Sequence, residues 1–194
     1  MSDDPIIRNA FEVKKLVRHS LAVSTFSLII ANELKWNNKV ALEKLSVGGL
    51  LHDIGLNLIP KEILAKPLAL LTPEELAIYE THPYKGMEMM MSLGFIPDDI
   101  ISIIFEHEEN RIGQGYPRKI RGVKMHPLAR IVSLADAFAE LVIQNVNQPI
   151  EKTPKEAIYY IEKIMGQPFD KEAFNALKKA IETHDIFKIE NIAA

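Results

Sequence analysis

The stretch GGLLHDIGLNLIP, Gly48 to Pro60, sets His52 and Asp53 side by side at the close of an apolar run and just before a glycine. An imidazole and a carboxylate are costly in such a place unless something pairs with them. The residues leading in, Val40 to His52, carry their apolar side chains at helical spacing, and Gly48-Gly49 lets a neighbouring segment come close. The fold therefore turns on a helix that ends in two ionisable groups.

Helical periodicity extends in both directions, and no convincing alternating strand interrupts it. Val13, Leu16, Val17 and Leu21 through Leu34 predict a long first helix, turned by KWNN. Pro60 opens a short helix bearing Ile63 and Leu64. Thr72-Pro73-Glu74-Glu75 is a capping box with proline at the first helical position. The helix it starts breaks at His82-Pro83 and resumes to Leu93, with Gly94 as its C-cap. Pro97-Asp98-Asp99 begins another helix, which ends near His107-Glu108-Glu109. Arg111 to His126 is one long irregular stretch. Pro127 then starts a strongly apolar helix through Leu141, Thr153 to Glu156 repeats the capping box for a helix ending at Gly166, and Asp170 caps a last helix from Lys171 to Thr183. The expectation is an all-α helical bundle: a core over 1–150, and C-terminal helices over 151–194 that form a pair packing on the same domain.

Composition narrows the functional classes. A chain of 194 residues with 47% hydrophobic and 25% charged residues is an ordinary globular domain. The net charge of −3 gives no general attraction to DNA or to an anionic membrane. The absence of cysteine removes disulfides, thiolate metal sites and a cysteine nucleophile together. No window reaches the ~20 apolar residues of a membrane span, and the N-terminus lacks a signal-peptide pattern. The expected location is the cytoplasm.

The histidines carry the chemistry. His52 ends one helix, His82 precedes a proline, His107 ends another helix, His126 also precedes a proline, and His19 lies inside the first helix. Asp136 sits in the apolar helix as SLADAF, where a lone carboxylate is expensive. Each has an ordinary reading as well: a satisfied core or surface histidine for His19, a helix breaker for His82-Pro83, a hydrogen bond to Ser133 for Asp136, and solvated helix-end charge for Glu108 and Glu109. Taken together they fit a bundle that points imidazoles and carboxylates inward at metal ions, with oxygen and nitrogen ligands suited to Fe, Mn or Zn. Two such ions sharing a carboxylate and a hydroxide can attack a phosphorus atom in line. A second pair, His184-Asp185, gathers nothing polar around it and reads as helix-end surface.

With these residues assembled, the chain from about Val13 to Ile150 resembles the HD superfamily of metal-dependent phosphohydrolases, and within it the bacterial HD-GYP family. The resemblance is carried by RHS with His19, LLHDIG with His52-Asp53, IPKEILAKPLALLTPEE, THPYKG with His82, HEENRIGQGYP with His107 to Pro117, and ARIVSLADAF with Asp136. It implies an all-α fold and hydrolysis of cyclic di-GMP or a related cyclic dinucleotide. The implied cofactors are two divalent transition ions, iron first and manganese second. His19, His52, Asp53 and Asp136 are then implied to hold one ion. His82 and His107, with Glu108 in place of a second histidine, hold the other, and Asp53 bridges the pair and keeps the nucleophilic hydroxide. Lys61, Lys66, Arg111 and Tyr116 are candidate substrate contacts, although the lysines equally suit a solvated surface.

Several departures from the family pattern accompany this. Leu56 stands where the family places a phosphate-binding lysine, Ile112 where it has an aspartate, Ala139 where it has a second aspartate, and Asn147 to Ile150 where it has an RPYR-like segment. Lys15 replaces the glutamate found in trinuclear members, which favours two ions. Losing cations around a dianionic dinucleotide weakens stabilisation of the developing charge. The alternative reading is a weak or inactive domain that binds cyclic di-GMP, or a signalling protein through the loop around Arg111 to Arg121.

Overall fold

The computed structural model describes residues 5–183, with side chains described from Val17 onward. Nine α-helices run through them: α1 Pro5–Glu33, α2 Lys39–Leu51, α3 Lys61–Leu64, α4 Pro73–Tyr79, α5 His82–Met91, α6 Asp98–Glu106, α7 Pro127–Val142, α8 Pro154–Tyr159 and α9 Lys171–Thr183. Among the described residues there is no strand, only an isolated antiparallel bridge between Ile112 and Arg121. The all-α expectation holds. The His184-Asp185 pair lies outside the described residues.

The helix boundaries follow local chemistry. In the box that opens α4, the Thr72 hydroxyl accepts from the Glu75 amide at 3.2 Å, and Glu75 accepts from the Thr72 amide at 3.0 Å. Thr153 and Glu156 repeat this at α8. Asp170 accepts from the amides of Glu172 and Ala173, starting α9. Gly94 and Gly166 take the left-handed φ of 74° and 71° that stops the chain from continuing as helix. One difference concerns the helix predicted to run on to Gly166: after Tyr159 it widens into a π-turn over Tyr160–Ile164.

The main core is an apolar cluster among α1, α2, α6, α7, α8 and α9, and a smaller one of Met90, Ile100 and Ile104 joins α5 to α6. The central α7 is buried nearly all round, as befits a helix whose apolar residues do not keep to one stripe. Phe138 meets Phe26 of α1 edge-on at 4.9 Å, and both are buried. Burying each such ring contributes about 1.5–3 kcal/mol. The C-terminal helices join the same cluster through Ile158, Ile161, Phe174 and Leu177. Gly48 and Gly49 do what their spacing predicts, because a Cβ on either would collide with Ile103 of α6 or with the backbone of Ser24 on α1. That closeness brings the end of α2 against the end of α6. Among the described residues no helix is long and apolar enough to cross a membrane.

Candidate metal centre

Helix ends build the site. His52 is the C-cap of α2, His107 is the C-cap of α6, and His82 follows the last turn of α4. The carbonyls of a helix's last turn have no intrahelical partner. Each histidine uses one: Nδ1 of His52 donates to the Gly49 carbonyl at 2.8 Å, His82 to Tyr79 at 3.0 Å, and His107 to Ile104 at 2.8 Å. With the proton held on Nδ1, each ring presents the Nε2 lone pair inward, the orientation a metal ion requires. This explains why histidines cluster at helix ends in this sequence.

The inward atoms converge. Nε2 of His19 lies 3.0 Å from Asp136 Oδ1 and 3.3 Å from Nε2 of His52. Nε2 of His82 lies 3.1 Å from Nε2 of His107 and 3.8 Å from Glu108 Oε1. Asp53 stands between the two groups: Oδ2 is 3.3 Å from His52 Nε2, while Oδ1 is 3.4 Å from Nε2 of both His82 and His107. Three overlapping sets of ligand atoms result, each within 4.8 Å: His19, His52 and Asp136; His52, Asp53 and His107; His82, His107 and Glu108. His52, His82 and His107 are buried, and Asp53 and Asp136 are nearly so.

Electrostatics favour a cation here. Burial alone would lower the pKa of His19, His52 and His82, yet Asp53 and Asp136 outweigh it at His19 and His52, and Asp53 with Glu108 at His82, so that all three are raised. Burial would likewise raise Asp53 and Asp136, but the surrounding imidazoles bring both below the usual carboxylate range. Ionised carboxylates beside imidazoles whose Nε2 atoms point inward form a donor set that fits divalent transition ions.

Two further groups face this centre and were not read from the sequence. Tyr79 packs edge-on against His82 at 5.1 Å, and its hydroxyl pKa is raised first by burial and then by Glu108, Asp53, Glu140 and Asp136. Glu140 lies one turn beyond Asp136 on α7, with its Oε1 4.0 Å from His19 Nδ1. Its four-residue offset from Asp136 is the signal that could have marked it.

The glutamates of HEE divide their work. Glu108 faces His82, and the Tyr116 ring meets His82 edge-on at 6.0 Å, its hydroxyl pKa raised first by burial and then by the Glu108 charge. Glu109 turns the other way, buried, and accepts the amides of Arg118 at 2.6 Å and Ile120 at 3.0 Å. It thereby clamps the loop that holds the GYP triplet. Gly115 completes the clamp, since a Cβ there would overlap the Glu108 carbonyl and the Glu109 Cα.

The remaining candidates lie elsewhere. Lys66 is tied to Glu75 at 2.5 Å, and Lys61 is exposed at the start of α3. Arg111 donates from Nε to the Phe169 carbonyl at 3.1 Å and lines a separate cleft with Arg130 and Asp170. His126 caps α7 through Leu128 and pairs with Asp99 at 2.9 Å, apart from the cage. Ser133, the alternative partner for Asp136, gives its hydroxyl to the Glu109 carbonyl instead.

A model of the HD domain matches residues 6–173. The chain belongs to the HD-domain family. This HD domain is 28% identical over 170 residues to a cyclic di-GMP phosphodiesterase of Pseudomonas aeruginosa, covering 87% of this chain and 40% of that protein. It is 32% identical over 184 residues to a cyclic di-GMP phosphodiesterase of Thermotoga maritima, covering 89% and 47%. The chain therefore spans less than half the length of these curated relatives. Among solved structures, an HDG"Y"P protein from Bdellovibrio bacteriovorus superimposes with a TM-score of 0.74 at 28% identity, over 87% of this chain and 53% of that one.

Proposed function

We propose that this HD domain is a divergent HD-GYP phosphodiesterase acting on cyclic di-GMP or a related cyclic dinucleotide at a binuclear iron or manganese centre. The observation that carries the reading is the placement of Asp53, whose two carboxylate oxygens face two different histidine groups. In this reading His19, His52 and Asp136 would hold one ion and His82, His107 and Glu108 the other, with Asp53 shared between them. Two divalent ions, when bound, supply an activated water and neutralise charge at the phosphodiester. The residues of the chain hold the histidine tautomers, fix Asp53 between the halves, and keep Glu108 beside His82. The names of the relatives and the Gly115-Tyr116-Pro117 triplet support the choice of substrate class. Tyr116 is the proposed substrate contact nearest the cage; Lys61, Lys66 and Arg111 remain proposals resting on their charge.

Leu56 favours a second reading, a binding domain with little turnover. It occupies the short 3-10 turn Ile54–Leu58 directly after Asp53 and brings no cation to a dianionic ligand. Anaerobic loading with Fe(II) or Mn(II), followed by incubation with cyclic di-GMP, cyclic di-AMP and 3'3'-cyclic GMP-AMP, separates the two. Product formation that disappears in Asp53→Asn supports the enzyme. Intact ligand that nevertheless binds leaves the binding domain, and neither binding nor turnover sinks both.

A further inference from the structure

Three of the four cage histidines share one device, and the fourth cannot use it. His52, His82 and His107 fix Nδ1 on carbonyls left over at helix ends. His19 sits in the interior of α1, where the carbonyls one turn back are engaged in the helix's own ladder. An ion at Nε2 nevertheless requires the proton of a neutral imidazole to reside on Nδ1, and that proton needs an acceptor.

We propose that Glu140 is the positioning residue for His19, the outer carboxylate that accepts from Nδ1 when a metal ion engages Nε2. The polar atom facing His19 Nδ1 among the described residues is Oε1 of Glu140, 4.0 Å away. On the opposite edge of the same ring, Asp136 Oδ1 lies 3.0 Å from Nε2. Asp136 and Glu140 are four residues apart on α7, so they share a face and sit one turn from each other. Helix α7 thus brackets the imidazole of α1 from both nitrogens. A separation of 4.0 Å exceeds a hydrogen bond, and closing it takes about 1 Å of side-chain movement. Glu140 has the freedom to make it, with its side chain 41% exposed against 12% for His19. Its backbone is steadier, because the Asn145 amide group donates to the Glu140 carbonyl at 2.9 Å just past the helix end.

The inference rests on the metal reading of the site and is independent of the substrate. Carboxylate partners of this kind typically change metal affinity by about 10–100-fold when removed. Apo protein titrated with Mn(II), followed by electron paramagnetic resonance, should show two sites in the wild type. In Glu140→Ala one site should weaken by about 10–100-fold while the other keeps its affinity. Glu140→Gln retains a carbonyl acceptor and should fall between the two. In zinc-loaded, 15N-histidine-labelled protein the His19 Nδ1 proton should be visible in the wild type and lost or shifted in Glu140→Ala, with the His52, His82 and His107 protons unmoved. A merely structural role for Glu140 would not single out that one resonance. Wild-type affinity at both sites together with an unchanged His19 signal would overturn the inference and leave the metal reading intact. A wild type that takes up no metal would overturn both.

Discussion

Nε2 of His82 lies 3.1 Å from Nε2 of His107, although the Nδ1 atoms of both rings are committed to backbone carbonyls. Two Nε2 atoms held this way face each other, and the contact is favourable only when positive charge, a proton or a metal ion, lies between them. Metal binding should therefore stabilise the fold. An ion at 100 times its dissociation constant adds about 2.7 kcal/mol. For a chain of this length that corresponds to a rise of roughly 5–10 °C in Tm. Thermal scans of chelator-treated protein with and without Mn(II) or Fe(II) measure it, and superimposable curves at saturating metal would remove the centre.

Asp53 and His82 should differ in what their loss releases. Asp53 faces both histidine groups, whereas His82 belongs to one. Elemental analysis should find Asp53→Ala depleted of both ions and His82→Ala retaining about one per chain. Two ions persisting in Asp53→Ala would contradict a bridging role.

Adjacent glutamates should give opposite phenotypes. Glu109→Ala orphans the amides of Arg118 and Ile120, at about 1–3 kcal/mol each, so urea unfolding should show a loss of roughly 2–6 kcal/mol. Glu108→Ala should leave stability within about 0.5 kcal/mol, measured on metal-free protein, because its side chain is 27% exposed at the edge of the cage. Its effect belongs to metal uptake on the His82 side. Equal destabilisation by the two substitutions would refute the division of labour.

Leu56→Lys tests the proposed loss of a phosphate-binding cation. A cation restored one short turn after Asp53 should raise kcat/KM for cyclic di-GMP by about 10–100-fold, or tighten binding by a similar factor if turnover is absent. The side chain at position 56 is half-buried at present, so a Tm measurement accompanies the assay. No change in either quantity would mean that phosphate recognition lies elsewhere.

Much of this was legible from the sequence for a physical reason: it depends on residues close along the chain. Thr72 and Thr153 announce their helices three residues before the partner glutamate, and Gly94 announces a stop by its backbone freedom. His52-Asp53, His82, His107 and Asp136 stood out because ionisable groups beside apolar runs need partners, and the structure brings those partners together. What escaped depends on packing between distant segments. Glu140 reads as an ordinary helix charge until α1 lies across α7. Arg111 reads as a free cation until Phe169 arrives to accept from it. The π-turn at Tyr160 has no pattern that distinguishes it from α-helix in one sequence.

The acceptors at Gly49, Tyr79 and Ile104 are main-chain atoms, which gives the cage an unusual resistance to sequence drift. A substitution at Tyr79 or Ile104 keeps the same carbonyl, which point mutation cannot delete as it can delete a side-chain partner, and only Gly49 is further constrained, by its close approach to Ser24. The ends of α2 and α6 also bring the negative pole of each helix towards the cage, a contribution that comes with the fold and not with particular residues. A side-chain cation at position 56 would have no such insurance. Drift would therefore be expected to erode side-chain recognition of a ligand well before it erodes the orientation of the cage histidines.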